Sequence, residues 1–238
     1  MDEVTPGASL PRYIQISERL IREIGAGLRP HGSRLPPERD LAAELGVSVG
    51  TLRKALAEVE AQGLLERIQG SGNYVRQKAG GGGVYKFFRL EKPDGGGLPT
   101  ARILDVARQP KPDDLPEFGS GPEAHRIRRV RHLDGAPVAL EEIWLDGAQA
   151  PRVTAAELSE SLYLFYRDTL GLVISRVEDR IGIGTMPDWP GAPPDFVPGT
   201  AAGQIDRISW DQAGDRVEVS RTWFESGKAR YVSRLSEG

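Results

Sequence analysis

The chain has 238 residues, of which 39% are hydrophobic and 27% charged, with a net charge of −3. That is enough for one large or two small domains with buried cores, rather than a disordered chain. It contains no cysteine, which excludes disulfides, thiolate zinc sites and a cysteine nucleophile. The only imidazoles are His31, His125 and His132, and no two stand at metal-ligand spacing, so neither a metal site nor a cofactor is expected. The first residues, MDEVTPGA, are acidic and polar and do not read as a secretory signal. No apolar run reaches the length a membrane span needs, and a cytoplasmic protein without a membrane partner is the expectation.

Residues 11–24, PRYIQISERLIREI, carry Tyr13, Ile16, Leu20 and Ile24 at helical spacing, and Gly25 and Gly27 stop the helix. A second short helix is expected over 37–45, with Leu41 and Leu45 inward. Gly46-Val47-Ser48 forms a turn, and Ser48 is a good N-cap for a third helix over 49–62. Leu52, Leu56 and Val59 make its buried stripe, and Gly63 ends it. Residues 64–75, LLERIQGSGNYV, place two short strands around Gly70-Ser71-Gly72, the pattern of a β-hairpin.

Helix, helix, tight turn, helix and hairpin in that order is the plan of a winged helix-turn-helix. The third helix then offers Ser48, Gly50, Thr51 and Arg53 to a major groove, with hydroxyls and N-terminal amides suited to phosphate. The alternative is a three-helix packing module that touches no nucleic acid. Net charge does not decide the matter, because residues 1–78 hold 11 basic and 10 acidic side chains. A DNA face must come from segregation, with Arg39, Arg53, Lys54 and Arg67 on one side.

Four glycines follow at 80–83. They place a linker at 77–83, between a domain at 1–76 and one at 84–238. The competing reading is a long surface loop inside one domain.

Beyond it, strands are expected over 84–90, 99–107, 123–133, 137–145, 172–184, 204–210 and 216–224. A short helix is expected over 162–170, capped by Ser161 and ended by Gly171. These elements indicate an α/β domain around an antiparallel sheet. The stretch HRIRRVRH at 125–132 puts Arg129 and Arg131 on one strand face. Two adjacent guanidiniums repel unless an anion lies between them, which points to phosphate or carboxylate binding. A solvated strand with surface salt bridges is the alternative. Register bears on this. A loop of Asp134-Gly135-Ala136 sets Glu141 opposite Arg129, whereas Asp134-Gly135 alone puts Glu142 on the arginine face.

Residues 33–75 resemble, without a gap, the DNA-binding domain of GntR-family transcription regulators. The resemblance implies DNA contacts from Arg39, Ser48, Gly50, Thr51 and Arg53, with Gly70 at the wing tip. The chain departs from the family at Val49, where many members carry arginine, and at Pro37, where many carry a serine N-cap. Pro37 is read as suiting the first helical position.

Residues 84–232 are similar to the UTRA effector-binding domain of the HutC subfamily, through YKFFRL at 85–90, RVRHLDGAPVALEE at 129–142, SLY at 161–163 and DRVEVSRTWF at 215–224. The implied fold class is α+β: an N-terminal winged helix-turn-helix domain joined to a chorismate-lyase-like, antiparallel-sheet UTRA domain. The implied effector residues are Arg129, Arg131, Glu141, Ser161, Tyr163 and Glu218, with Phe224 where relatives often have tyrosine. The proline-rich stretch 185–203 departs from the family's short helix and is expected to reshape the pocket mouth.

The resulting expectation is a ligand-responsive, homodimeric repressor on a palindromic double-stranded operator, released by a small anionic metabolite. A chorismate-lyase-type enzyme with a DNA-binding head and a constitutive DNA-binding protein with an empty sensor are the alternatives. Neither an activated nucleophile nor a triad is visible for the enzyme.

Overall fold

The computed structural model describes residues 10–76, 85 and 87–234. They fall into two compact units, one holding 99–229 and the other 10–98 together with 230–234. The linker expected at 77–83 lies outside the described residues.

In the first unit along the chain, α1 (Arg12–Gly25) buries Ile16, Leu20, Ile21 and Ile24 as one stripe. It ends where Ala26 N donates to Arg22 O at 2.8 Å. The second helix, α2 (Glu38–Glu44), carries acidic residues in its first turn, which suit the positive end of the helix dipole. Pro37 stands at the N-cap of α2 without a side-chain cap bond, so it is not the first helical residue. Gly46, at φ +62°, makes the left-handed turn that reverses the chain. Helix α3 (Val49–Ala61) then starts at Ser48, whose Oγ accepts Thr51 N at 3.1 Å. A cap of this kind contributes about 1 kcal/mol.

Leu41, Leu52, Leu56 and Val59 are completely buried in the shared core, each contributing about 1.5–3 kcal/mol of apolar burial. The hairpin of β1 (Leu65–Ile68) and β2 (Gly72–Val75) closes over it through Leu65 and Val75. The strand expected over 84–90 is reduced to β3 (Leu90–Glu91). Tyr85 and Phe87 lie in turns, and Phe88 N donates to Tyr85 O.

The other unit is a six-stranded antiparallel sheet. Its strands are β4 (Pro99–Pro110), β5 (Glu123–Leu133), β6 (Ala136–Asp146), β7 (Arg176–Thr185), β8 (Ala201–Trp210) and β9 (Arg216–Phe224), in the order β4-β5-β6-β9-β8-β7. A tenth strand, β10 (Arg230–Tyr231), returns to pair with β3. Between β6 and β7, α4 (Leu162–Phe165) runs into a π-helical turn (Tyr166–Leu170) ended by Gly171 at φ +65°.

The proline-rich stretch forms turns, not a helix. Its Met186, Trp189 and Phe196 pack on Val130, Leu140 and Ala202. In β5, Val130 alternates with Arg129 and Arg131, so these anchors cover the sheet face opposite the arginines and do not shape a pocket mouth on the arginine face.

Gly203 shows how tightly the arginine face is filled. A Cβ there would meet the Phe224 ring at 2.4 Å. Gly203→Ala is expected to lower unfolding free energy by about 1–3 kcal/mol, read as a lower urea midpoint with unchanged m-value. An unchanged midpoint would show that the ring has room to move.

Candidate functional site

The head presents the start of α3 to solvent. Ser48, Gly50 and Arg53 are exposed and Thr51 is half-buried. The Ser48 hydroxyl is engaged as the helix cap and also shares a hydrogen with Thr51 Oγ1 at 2.9 Å. This bond fixes both hydroxyls at the helix tip. Arg53 Nε donates to Glu38 Oε2 at 2.6 Å, and the Arg53 side chain remains 64% exposed. The pair sets the direction of the guanidinium without hiding it. Arg39 and Lys54 are exposed, and among the described residues neither has an ion-pair partner. Arg67 turns back toward α3, donating to Arg53 O at 3.1 Å and pairing with Glu60 at 3.3 Å. At the wing, Gly70 is exposed at φ +76°. All six expected DNA-contact residues therefore lie on the head, from the start of α2 through the tip of α3 to the wing.

The second site is on the sheet. Asp134 and Gly135 form the two-residue loop between β5 and β6, both at positive φ, with Leu133 opposite Ala136. A two-residue loop without irregularity would set Leu140 against Arg129. Instead a bulge at the Arg131/His132 step, with Val138 as the extra residue, shifts the register and puts Glu141 opposite Arg129. The shorter of the two expected loops thus occurs with the pairing expected of the longer one. Glu142 falls opposite Arg128, on the other face, where it accepts Arg128 Nε at 2.6 Å.

Arg129 and Arg131 are 7% and 1% exposed, which replaces the alternative of a solvated charged strand. Arg129 Nε donates to Glu141 Oε2 at 2.5 Å, and Arg131 Nε lies 3.9 Å from the same oxygen. Arg131 Nη1 also donates to Glu160 O at 3.4 Å, which brings the arginine strand to the residue before Ser161. Among the described residues, Arg129 Nη1 is buried without a hydrogen-bond partner. Burial pushes the Glu141 carboxyl up, but the charges of Arg129 and then Arg131 hold it below the ordinary carboxylate value. Burial opposes the Arg129 charge as well, and Glu141 outweighs it, leaving the guanidinium more firmly protonated than usual.

Ser161 is buried at the N-cap position of α4 but makes no side-chain cap bond. Its carbonyl accepts Phe165 N and Ser159 Oγ instead. The cap expected from sequence is therefore absent. Tyr163 belongs to a separate cluster around Glu218. There the Glu218 carboxylate accepts Tyr163 Oη at 3.0 Å, Tyr166 Oη at 2.7 Å and Ser209 Oγ at 2.8 Å. Burial raises the Glu218 carboxyl above its ordinary value; the three hydroxyl donors offset this in part, and the Glu141 charge adds to it. Both tyrosines are pushed up by burial and by the Glu218 charge.

Glu218 is opposite Leu145, whereas Thr222 is opposite Glu141. The expected effector residues thus divide into an arginine end and a hydroxyl end of one face. Phe224 is on that face too, opposite Ala139, whose other neighbour is Arg131.

Tyr166, Ser209, Arg207 and Asp179 were not found from sequence. Arg207 forms a bidentate pair with Asp179 at 2.6 and 2.7 Å. Tyr166, three residues after Tyr163 in a helical segment, carried a usable spacing signal. Ser209 and Arg207 reach the site only through the β8–β9 pairing. Among the described residues no group of acidic or histidine side chains is arranged to hold a metal, and no helix is long and apolar enough to cross a membrane.

A winged head and a sheet unit with a buried, charged face define a two-part regulator. Residues 12–75 match the bacterial regulatory proteins of the gntR family, and residues 94–230 match the UTRA domain. The chain belongs to the GntR family of transcription regulators, in the branch that carries a UTRA domain. It is 55% identical to the HTH-type transcriptional regulator SmoD of Agrobacterium fabrum, over 96% of this chain and 98% of that one. It is 34% identical to the mannosyl-D-glycerate transport/metabolism system repressor MngR of Escherichia coli K12, over 74% of this chain and 75% of MngR. The fold is shared with the crystal structure of YydK from Bacillus subtilis, at TM-score 0.55 and 19% identity, over 95% of this chain and all of that one.

The pH dependence of the arginine end follows from Glu141. Its folded carboxyl titrates below the unfolded value of about 4.3. Its stabilisation is therefore complete above that value and is lost as pH falls through the lower, folded one. Glu141→Gln is expected to flatten the acid limb of stability below about pH 4, measured by urea unfolding across pH. A limb as steep as the parent's would assign the acid sensitivity to other carboxylates.

Proposed function

We propose that this chain is a homodimeric repressor that leaves its palindromic operator when a small anionic effector binds on the arginine face of the sheet. The observation that carries the reading is Arg129 Nη1, a buried donor with no hydrogen-bond partner. It belongs to a pair of guanidiniums that share one carboxylate. A buried donor left unpaired costs roughly 1–3 kcal/mol, and a carboxylate, phosphate or sulfonate oxygen supplies the missing acceptor with charge assistance. The hydroxyls of Tyr163 and Ser209 at the other end of the face suit a polar body attached to that anion. MngR is named for mannosyl-D-glycerate, a carboxylated glycoside, which supports an effector of this kind.

On the head, Arg53 and Thr51 read base edges, Arg39, Ser48 and the α3 amides take phosphates, and Gly70 lets the wing approach the duplex. Val49 leaves the first turn of α3 without a long cationic side chain, so Arg53 carries the direct readout. Two heads on two half-sites about one helical turn apart need a dimer.

The test uses the full-length chain and a duplex it selects from a random-sequence pool. Arg53→Ala is expected to weaken binding to that duplex about 10- to 100-fold, the range for losing one bidentate base contact. Unchanged affinity would remove α3 as the reading helix. In a thermal-shift panel of carboxylated, phosphorylated, sulfonated and neutral sugars, at least one anionic compound is expected to raise the melting temperature and lower duplex affinity. Arg129→Met should abolish both effects and keep duplex binding. A response confined to neutral sugars, or an Arg129→Met protein that still responds, would show that the arginine pair is not the anion site.

A further inference from the structure

Arg22 stands in the last turn of α1, on the head, yet its side chain does not serve the head's own core. It is 9% exposed. Its Nε donates to Gly97 O at 2.7 Å, its Nη1 to Phe88 O at 3.3 Å and its Nη2 to Leu90 O. The guanidinium also lies 5.2 Å from the centre of the Phe88 ring. One side chain thus binds three carbonyls of a single passage, 88–97, about seventy positions further along the chain. Gly96 packs beside the same helix end, since a Cβ there would stand 3.4 Å from Leu28 Cδ1.

That passage is itself tied to the end of the chain. Leu90 and Glu91 pair with Tyr231 and Arg230, and Val232 N donates to Arg89 O at 2.9 Å. Arg234 clamps the Glu91 carboxylate with two bonds of 2.6 and 2.9 Å. Glu91 also accepts Gly96 N at 3.2 Å. The two strands of this neck are covalently continuous with the sheet unit: Leu98 joins Pro99 of β4, and Arg230 follows Ala229 beyond β9.

We infer that Arg22 is the positioning residue that fixes the reading head to this two-stranded neck, and so sets the spacing at which the two heads of a dimer engage DNA. The sequence reading of 77–83 is a glycine tether, and tethers of that composition do not fix the orientation of what they join. A tridentate guanidinium does. Three carbonyls in different directions match its planar fork, and neither rotation nor sliding of α1 preserves all three bonds. Lysine has a point charge and cannot reproduce that geometry. The inference rests on the dimeric reading above, and the test separates the two.

The probe is the duplex selected by the parent chain, compared with the same duplex carrying five inserted base pairs between half-sites, which turns one half-site by about half a helical turn. The parent is expected to lose at least about tenfold in affinity on insertion, and Arg22→Met less than about threefold, while both bind a single half-site equally. A role confined to folding would lower half-site affinity and melting temperature together and leave the insertion penalty at the parent's value; that outcome overturns the inference. If Arg22→Met does not fold, Arg22→Lys replaces it and should show a reduced penalty; a penalty equal to the parent's overturns the inference equally. A parent with no insertion penalty, or one that sediments as a monomer, overturns both this inference and the dimeric reading. A parent penalty shared by the variant overturns this inference alone.

Discussion

The chemistry of the sheet unit depends on two buried guanidiniums held against one carboxylate. Arg129 and Arg131 leave the same side of β5, both are buried, and Glu141 is the carboxylate set against them. The sheet enforces this arrangement. Val138 bulges out of β6, and the resulting register brings Glu141, instead of Leu140, opposite Arg129. The same shift sends Glu142 to the other face, where Arg128 and the indole N–H of Trp144 occupy it. One inserted residue thus sorts two neighbouring glutamates to two faces.

The head was largely legible in the sequence because its determinants are local. The apolar stripe of α1, the Ser48 cap and the Gly46 turn each act within a few residues, and each stands where periodicity placed it. The sheet unit was legible at the level of strands and far less so at the level of pairing. The two-residue loop at Asp134-Gly135 was one of two readings, and the bulge that decides the register leaves no local signature around Val138. The Glu218 cluster draws on α4, the π-helical turn, β8 and β9. No spacing rule connects Ser209 to Tyr166. Ser161 shows the opposite failure: a strong local cap signal goes unused, because the helix it precedes has only four α-helical residues before widening into the π turn.

Glu141 and Glu218, two carboxylates of the arginine face, are held in opposite conditions. Glu141 faces guanidiniums, which keep it ionised. Glu218 accepts from three hydroxyl groups, which do not offset the cost of burying its charge, and the Glu141 charge adds to that cost. The arginine end therefore favours the ionised form of Glu141, while burial at the other end disfavours that of Glu218.

A ligand changes the setting of the heads only to the extent that it binds one arrangement better than another. The strand β4 lies beside the arginine pair. Its Ala101 and Ile103 stand opposite Arg131 and Arg129, and its register slips between Ile103 and Asp105. Three residues before Ala101 the chain is already in the neck that Arg22 holds. Typical coupling energies of about 1–3 kcal/mol are within what one charge-assisted hydrogen bond supplies. The irregular register of β4 stands next to the arginine pair, on the strand that continues from the neck.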